Sequence, residues 1–182
     1  MKIKDMVSVA VMAAVICILT PLSVPIGPIP ISLANFIILL TVYILGTKKA
    51  FLSVLIFLLI GLAGAPVFSG FQGGIAKLAG PTGGFLIGYL PMVLIAGAFI
   101  EKSRRKLLLS MAGMMIATAV LYALGTAWFV SLTGKTLAAA LALCVTPFIV
   151  LDLAKMLVVA LVGPVLYNAL VKAGVLDRAV IA

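Results

Sequence analysis

The stretch PFIVLDLAKMLVVALVGPVLYNALV, residues 147–171, decides the class of fold that this chain adopts. It is longer than the roughly 20 apolar residues with which an α-helix crosses the hydrocarbon core of a bilayer. Its only acidic residue is Asp152 and its only basic residue is Lys155. The stretch therefore predicts a membrane-spanning helix that carries two charges inside the membrane.

The whole chain has a composition like that of this stretch. Of its 182 residues, 65% are hydrophobic and 9% are charged, and its mean hydropathy is +1.42. A soluble domain has about 25% charged residues. The sequence therefore predicts an all-α membrane protein in which residues 1–182 form a single transmembrane domain, without a separate aqueous domain.

Apolar runs bounded by charge, proline or glycine divide the chain into six predicted transmembrane helices. These runs are residues 6–21, 33–45, 50–63, 82–100, 107–130 and 147–171. The second and third runs are shorter than a comfortable span, but a polar turn at residues 46–49 keeps them separate. The first run ends without a small-x-small cleavage region, so we interpret it as a retained helix rather than a signal peptide.

The distribution of charge predicts that both termini are cytoplasmic. With six spans, the inner side then holds most of the 13 Lys and Arg residues. These inner residues are Lys2, Lys4, Lys48, Lys49, Lys102, Arg104, Arg105, Lys106, Lys172 and Arg178. Only Lys77 and Lys135 fall in outer loops, which agrees with the tendency of positive charge to stay on the cytoplasmic side.

The outer loops are longer and more elaborate than the inner ones. Three prolines around Gly27 predict a stiff, partly extended first loop that can serve as a lid, over residues 22–32. Residues 64–81, GAPVFSGFQGGIAKLAGP, predict a structured insert because they mix glycines with aromatic residues. Residues 131–146 include an apolar stretch too short to span, which predicts a helix lying across or dipping into the outer face.

The residue types present exclude several kinds of function. With no His and four Asp and Glu, the chain offers no histidine metal cluster, Ser-His-Asp triad or histidine proton relay. The basic residues are dispersed between apolar segments and form no basic helix, so nucleic acid is not a predicted partner. Cys17 and Cys144 lie in apolar runs, where cysteine usually packs as a small hydrophobic residue.

Asp152 and Lys155 are the most informative polar residues. They are three residues apart on one predicted helix and therefore share a face within the hydrocarbon zone, where a lone charge costs a few kcal/mol. Either they form a structural ion pair between helices, or they bind a polar ligand that enters from outside. In the second interpretation Asp152 accepts hydrogen bonds from N–H donors and Lys155 neutralises an anion.

Further polar candidates lie on the same outer side. Asn35 either satisfies loop carbonyls after Pro30 or offers a ligand both a donor and an acceptor, which suits an amide or a urea. Gly73 either lets the backbone approach a ligand or serves only a turn. Lys77 is either a ligand contact or a solvated loop charge.

Aromatic and small residues also have two interpretations each. Phe68 either stacks on an apolar ligand or packs the second outer loop onto the bundle. Tyr89 either contacts a ligand or anchors its helix at the membrane interface. Ala10 and Ala14 form a small-xxx-small step on the first helix, which allows close approach either by a partner helix or within the bundle.

Three stretches together resemble the BioY family, the substrate-binding S components of energy-coupling factor (ECF) vitamin transporters. They are PIPISLANFIILL at residues 28–40, GAPVFSGFQGGIAKLAGPTGGFLIGY at 64–89 and DLAK at 152–155. The GPTGG of residues 80–84 and the Asp-x-x-Lys pattern are fairly specific in combination. The six-helix layout extends the resemblance over essentially the whole chain.

The resemblance implies the S-component fold, a prokaryotic cell membrane as location, biotin as ligand and no cofactor. Asp152 and Asn35 suit the ureido ring of biotin. Lys155 or Lys77 suits a charge or a carbonyl of the ligand, and the aromatic, glycine-rich loop suits its apolar middle. The chain has no G-x-x-x-x-G-K-[ST] motif. The implied partners are therefore a transmembrane coupling subunit and two ATPase subunits. Both Ala10 and Ala14 are expected to contact the coupling subunit.

Three other functions stay open at this point. The first alternative is an S component for another small vitamin, and the second is a self-sufficient secondary carrier. The third is an intramembrane enzyme that uses Asp152 and Lys155. The enzyme is disfavoured because the predicted spans hold one carboxylate and one amine, with no second acid or metal ligand. The carrier is disfavoured because the sequence has no visible internal repeat.

Overall fold

The computed structural model describes residues 2–24, 29–103 and 105–176. Within these ranges the chain forms eight helices and one short antiparallel hairpin. The helices are α1 (Ile3–Leu19), α2 (Ala34–Leu45), α3 (Thr47–Leu62), α4 (Ile75–Ala79), α5 (Gly83–Lys102), α6 (Leu107–Thr133), α7 (Leu137–Cys144) and α8 (Thr146–Lys172). The strands are β1 (Ser23–Val24) and β2 (Ile31–Ser32). The residues used in the predictions that lie outside the described ranges are Pro25, Gly27, Pro28, Arg104 and Arg178.

The six predicted helices are present as α1, α2, α3, α5, α6 and α8, with ends that differ from the predicted ones by a few residues. The helix predicted for residues 131–146 is also confirmed, as α7. Among the described residues, three helical stretches are long and apolar enough to cross a membrane, namely Gly83–Lys102, Leu107–Thr133 and Leu137–Lys172, which joins α7 and α8. Because α1, α2 and α3 are shorter, the count of six spans stays a prediction. The cytoplasmic location of the two termini also stays a prediction.

The central helix of the bundle is α2. Each of its residues except Phe36 is buried, and it contacts α1, α3, α5 and α8. A helix that is apolar on all sides is stable in the interior of a protein. At 12 residues it is about 18 Å long, which is shorter than the hydrocarbon core. Surrounding protein makes such a short helix tolerable in a membrane.

The connection between α2 and α3 is shorter than predicted. Gly46 alone separates the two helices, with a φ of +79° that favours glycine. The predicted turn at residues 46–49 is wrong in this detail, because Thr47 and the two following lysines form the first turn of α3. The backbone N–H of Thr47 donates to Oε1 of Glu101 at 2.7 Å. This long-range contact from α5 satisfies a donor that the start of a helix leaves unpaired.

The two ends of the bundle differ in chemistry. At one end, which we call the basic end, Lys49 pairs with Asp5 and Nζ of Lys4 donates to the carbonyl oxygen of Gly174 at 3.2 Å. The hairpin, α4 and α7 lie at the opposite end, which we call the loop end. Lys4 and Lys49 thus lie at the same end of the bundle. The side of the membrane that each end faces stays a prediction.

The second loop at the loop end is structured, as predicted. It contains α4 and a backbone bridge between Phe68 and Gln72. After α4 the GPTGG run leads into α5, and Nε1 of Trp128 in α6 donates to the carbonyl oxygen of Gly80 at 3.0 Å. A Cβ atom on Gly84 would collide with the Trp128 side chain. The glycine therefore permits the close contact that holds the start of α5 against α6.

Candidate functional site

A cavity opens at the loop end, between α2, α5, α6 and α8 and beneath the loops. Its free volume is about 590 Å³, counting the space at its open mouth. The residues that line it are Ile29, Pro30, Ser32, Asn35, Ser69, Lys77, Thr82, Phe85, Leu86, Tyr89, Leu121, Tyr122, Cys144, Phe148, Asp152 and Lys155. Nine of these sixteen residues are apolar or aromatic and seven are polar or charged, and such a mixture of apolar walls and convergent polar groups is typical of a small-molecule site.

The structure brings five of the predicted site residues to this cavity. Asn35 lies near the start of α2, Lys77 on α4, Tyr89 on α5, and Asp152 and Lys155 on α8. They come from four elements that are far apart in sequence. Only Asp152 and Lys155 were expected to be neighbours from their spacing, because residues three apart share a helix face.

A hydrogen-bonded ion pair forms part of the cavity wall. Nζ of Lys155 donates to Oδ1 of Asp152 at 3.0 Å and to the carbonyl oxygen of Ser32 at 2.9 Å. The hydroxyl of Tyr122 donates to Oδ2 of Asp152 at 2.7 Å. Asp152 is 4% exposed, and a buried carboxylate needs such partners to stay charged.

This ion pair keeps unused hydrogen-bonding capacity. Each carboxylate oxygen can accept two hydrogen bonds and an ammonium group can donate three. Asp152 accepts one bond at each oxygen, and Lys155 donates two, within the described part of the chain. The two interpretations of this pair are therefore compatible, because it joins α8 to α6 and β2 and still presents polar atoms to the cavity.

Asn35 is buried in the same cavity without a partner for its side chain. The residue is 6% exposed, and neither Nδ2 nor Oδ1 has a hydrogen-bond partner among the described residues. Its side chain therefore does not satisfy the loop carbonyls. A buried amide group left unpaired costs about 1–3 kcal/mol. Oγ1 of Thr82 is unpaired in the same way, so the wall offers both donors and acceptors to a ligand.

Lys77 supplies a second positive charge to the cavity. Its side chain is half-buried, and burial lowers the pKa of the Lys77 amine. No carboxylate of a described residue lies within ion-pair distance of it. Lys77 therefore differs from Lys155, whose charge Asp152 balances.

Phe68 and Gly73 do not line this cavity. The side chain of Phe68 is fully buried, and its ring meets that of Phe57 edge-on, with centroids 5.4 Å apart. It also packs against Gly61, where a Cβ atom would collide with its ring. At Gly73 a Cβ atom would collide with the carbonyl oxygen of Ala65. Packing of the loop onto the bundle therefore accounts for Phe68, and close packing within the loop accounts for Gly73.

The sequence predictions missed several cavity residues, above all Tyr122. Its position in the middle of the apolar run 107–130 was an available signal, because a buried tyrosine hydroxyl needs a hydrogen-bond partner. Ser32 contributes its backbone carbonyl, for which a sequence carries no signal. Phe85 and Phe148 complete the aromatic wall, and nothing in their local sequence separates them from other apolar residues.

The two alanines of the predicted partner contact lie on the outer surface of α1. Ala10 and Ala14 are exposed, whereas Ala13 between them is buried. They do not pack inside the bundle. This surface of α1 is accordingly open to another helix, and small side chains allow the backbones to approach closely.

The fold and the cavity define an α-helical membrane protein with a small-molecule site at one end of its helix bundle. A family model described as the BioY family matches residues 1–172. This chain belongs to the BioY family.

Two relatives also match most of the chain. The "Probable biotin transporter BioY" of Pyrococcus horikoshii is 39% identical over 155 residues, which cover 85% of this chain and 91% of the relative. The "Biotin transporter BioY2" of Lactococcus lactis subsp. cremoris is 32% identical over 169 residues, which cover 93% of each chain.

A solved structure has the same fold. It is the crystal structure of "the S-component for biotin from an ECF-type ABC transporter", with a TM-score of 0.85 and 29% sequence identity. The match covers 91% of this chain and 92% of that one. The S-component fold that the sequence resemblance implied is thereby confirmed.

Proposed function

We propose that this chain captures biotin from outside a prokaryotic cell and carries it across the cell membrane as the S component of an ECF-type transporter. A separate transmembrane coupling subunit and two ATPase subunits supply the energy. The observation that carries this proposal is the cavity of a BioY-family chain in which the Asp152–Lys155 pair and the unpaired amide of Asn35 lie together.

The polar groups in the cavity match the ureido ring of biotin. This ring has two N–H donors and one carbonyl acceptor. The carboxylate of Asp152 accepts from an N–H group, and the Asn35 amide can donate to the carbonyl and accept from the other N–H group. The ring thus satisfies an amide that is otherwise buried and unpaired, which is favourable for both partners.

The charges in the cavity favour one orientation of the ligand. The carboxylate of biotin is repelled by Asp152, and Asp152 already neutralises Lys155. Lys77 has no such partner among the described residues, and it belongs to α4 in the loops. We therefore place the ureido ring deep in the cavity, the apolar thiophane ring between Phe85 and Phe148, and the carboxylate at Lys77.

The exposed face of α1 supports the assignment of the partner. Ala10 and Ala14 lie on the surface of the bundle, where a helix of the coupling subunit can pack against them. Membrane helices associate mainly through such close packing, because lipid provides no hydrophobic driving force between helices.

Binding of labelled biotin to the purified chain tests the proposal. We expect one biotin per chain, bound tightly and released unmodified, and no competition by other water-soluble vitamins. Release of a chemically changed product would indicate an enzyme. Preferential binding of another vitamin would indicate a different S component. Uptake of biotin by proteoliposomes that contain this chain alone would indicate a self-sufficient carrier.

A further inference from the structure

A second pocket adjoins the cavity at the loop end. It lies along residues 72–82 of the second loop and has a free volume of about 870 Å³, counting open space. Lys77 and Thr82 line both the second pocket and the cavity. No residue of α2 or α8 lines the second pocket. Lys77 and Thr82 therefore border both spaces, and we call these two residues the neck.

The neck is the place where the proposed function puts the carboxylate end of the ligand. Asp152 lies in the second turn of α8, which begins at Thr146, whereas Lys77 lies in the loops. A ligand with its ring at Asp152 thus directs its valerate chain toward Lys77. The second pocket lies on the far side of these two residues from Asp152 and Lys155, neither of which lines it.

The polar groups at the neck suit an amide as well as a carboxylate. Nζ of Lys77 can donate to a carboxylate oxygen or to an amide carbonyl. Oγ1 of Thr82 is buried and has no hydrogen-bond partner in the part of the chain that the structure describes, and a hydroxyl can accept a hydrogen bond as well as donate one. An amide group thus finds a donor for its carbonyl and an acceptor for its N–H.

We propose that the chain also binds biotin amides, in which the carboxylate of biotin is condensed with a primary amine. The part derived from the amine lies in the second pocket, where Gln72 and backbone groups of the glycine-rich loop offer polar contacts. This inference rests on the proposed function. It makes fragments of biotinylated peptides, with biotin linked to a lysine side chain, a second class of ligand.

Direct binding to the purified full chain tests the inference. The probes are biotin and the amide of biotin with the side-chain amine of lysine. We expect the two dissociation constants to agree within about tenfold, because a bidentate neutral contact replaces the charged one. An amide that binds more than tenfold more weakly than biotin overturns the inference. Failure of biotin itself to bind overturns the proposed function instead.

A bulky residue in the second pocket locates the extension of the ligand. Ala76 lines the second pocket but not the cavity. We expect Ala76→Trp to weaken binding of the lysine amide at least tenfold and to leave biotin binding unchanged. Ala79→Trp is the matched control, because Ala79 is exposed on the same short helix and lines neither space.

The control should leave the affinity for both ligands unchanged. Gln72→Trp repeats the test from another residue of the second pocket, in case Ala76→Trp does not fold. Equal affinities for the amide in these variants and in the unmodified chain would show that the extension does not occupy the second pocket, and would refute the inference.

Discussion

We expect Asp152→Asn to weaken biotin binding by at least about thirtyfold while the bundle stays folded. Asparagine keeps the volume and one acceptor oxygen of the side chain but removes its charge, which leaves the charge of Lys155 without its carboxylate. Removing one partner of a buried charged contact costs about 2–5 kcal/mol in binding. Since about 1.4 kcal/mol is a factor of ten in the dissociation constant, the lower end corresponds to about thirtyfold.

The bundle should tolerate this substitution better than the site does. Lys155 keeps its hydrogen bond to the carbonyl oxygen of Ser32, and its side chain is 16% exposed. Lys155 also lines the open cavity, where water can solvate the charge that Asp152 no longer balances. Tyr122 keeps a hydrogen-bond partner, because the asparagine side chain can either accept from or donate to its hydroxyl.

Two further variants calibrate the magnitude. Asp5→Asn is the matched control, because it also removes a carboxylate that pairs with a lysine, but at the basic end of the bundle. It should leave biotin affinity unchanged. Tyr122→Phe removes one hydrogen bond to Asp152 and leaves the charge in place. A loss of about 1 kcal/mol, or about fivefold in affinity, is expected for it.

Equilibrium dialysis with labelled biotin measures these affinities, and thermal unfolding of the same preparations reports on folding. Biotin binding by Asp152→Asn within threefold of the unmodified chain would contradict a ligand-binding role for Asp152. Asp5→Asn would contradict it too, if it weakened binding as much as Asp152→Asn does. In either case the ion pair of α8 would be structural, and the ligand would bind elsewhere.

Two other predictions concern the surfaces of the bundle. Ala14→Trp should fold and bind biotin but lose both copurification with the coupling subunit and ATP-driven uptake. Ala13→Trp should instead destabilise the chain by about 1–3 kcal/mol, because Ala13 is buried. Normal uptake by Ala14→Trp would contradict the proposed contact of α1 with the coupling subunit. An impermeant thiol reagent applied to intact cells should label Lys135→Cys and not Lys106→Cys, in a chain whose two native cysteines are replaced by alanine, and the opposite pattern would reverse the predicted orientation.

The sequence by itself determined that the chain lies in a lipid bilayer, where its main helices are and which family it belongs to. An apolar run reports on the bilayer because its length and composition are local properties, so α1, α2, α3, α5, α6 and α8 were predictable with small errors at their ends. The pairing of Asp152 with Lys155 was also a local property, set by their spacing on one helix. The resemblance to the BioY family rested on short stretches of sequence and predicted the function that we propose.

Only the tertiary structure decided which side chains meet. Glu101, far along the chain, accepts a hydrogen bond from the backbone N–H of Thr47 at the start of α3. Tyr122 likewise donates a hydrogen bond to Asp152, which is far from it in sequence. Phe68 packs into the bundle and does not line the cavity. Such contacts depend on how distant helices are rotated against each other.

The physical reason lies in the membrane itself. In a soluble protein the polar face of a helix marks the side that meets water, and the pattern of polar residues reveals its rotation. In a bilayer both the lipid-facing side and the buried side are apolar. The alternation of exposed Ala10, buried Ala13 and exposed Ala14 therefore leaves no trace in the sequence of α1, and packing alone determines which face is free for a partner.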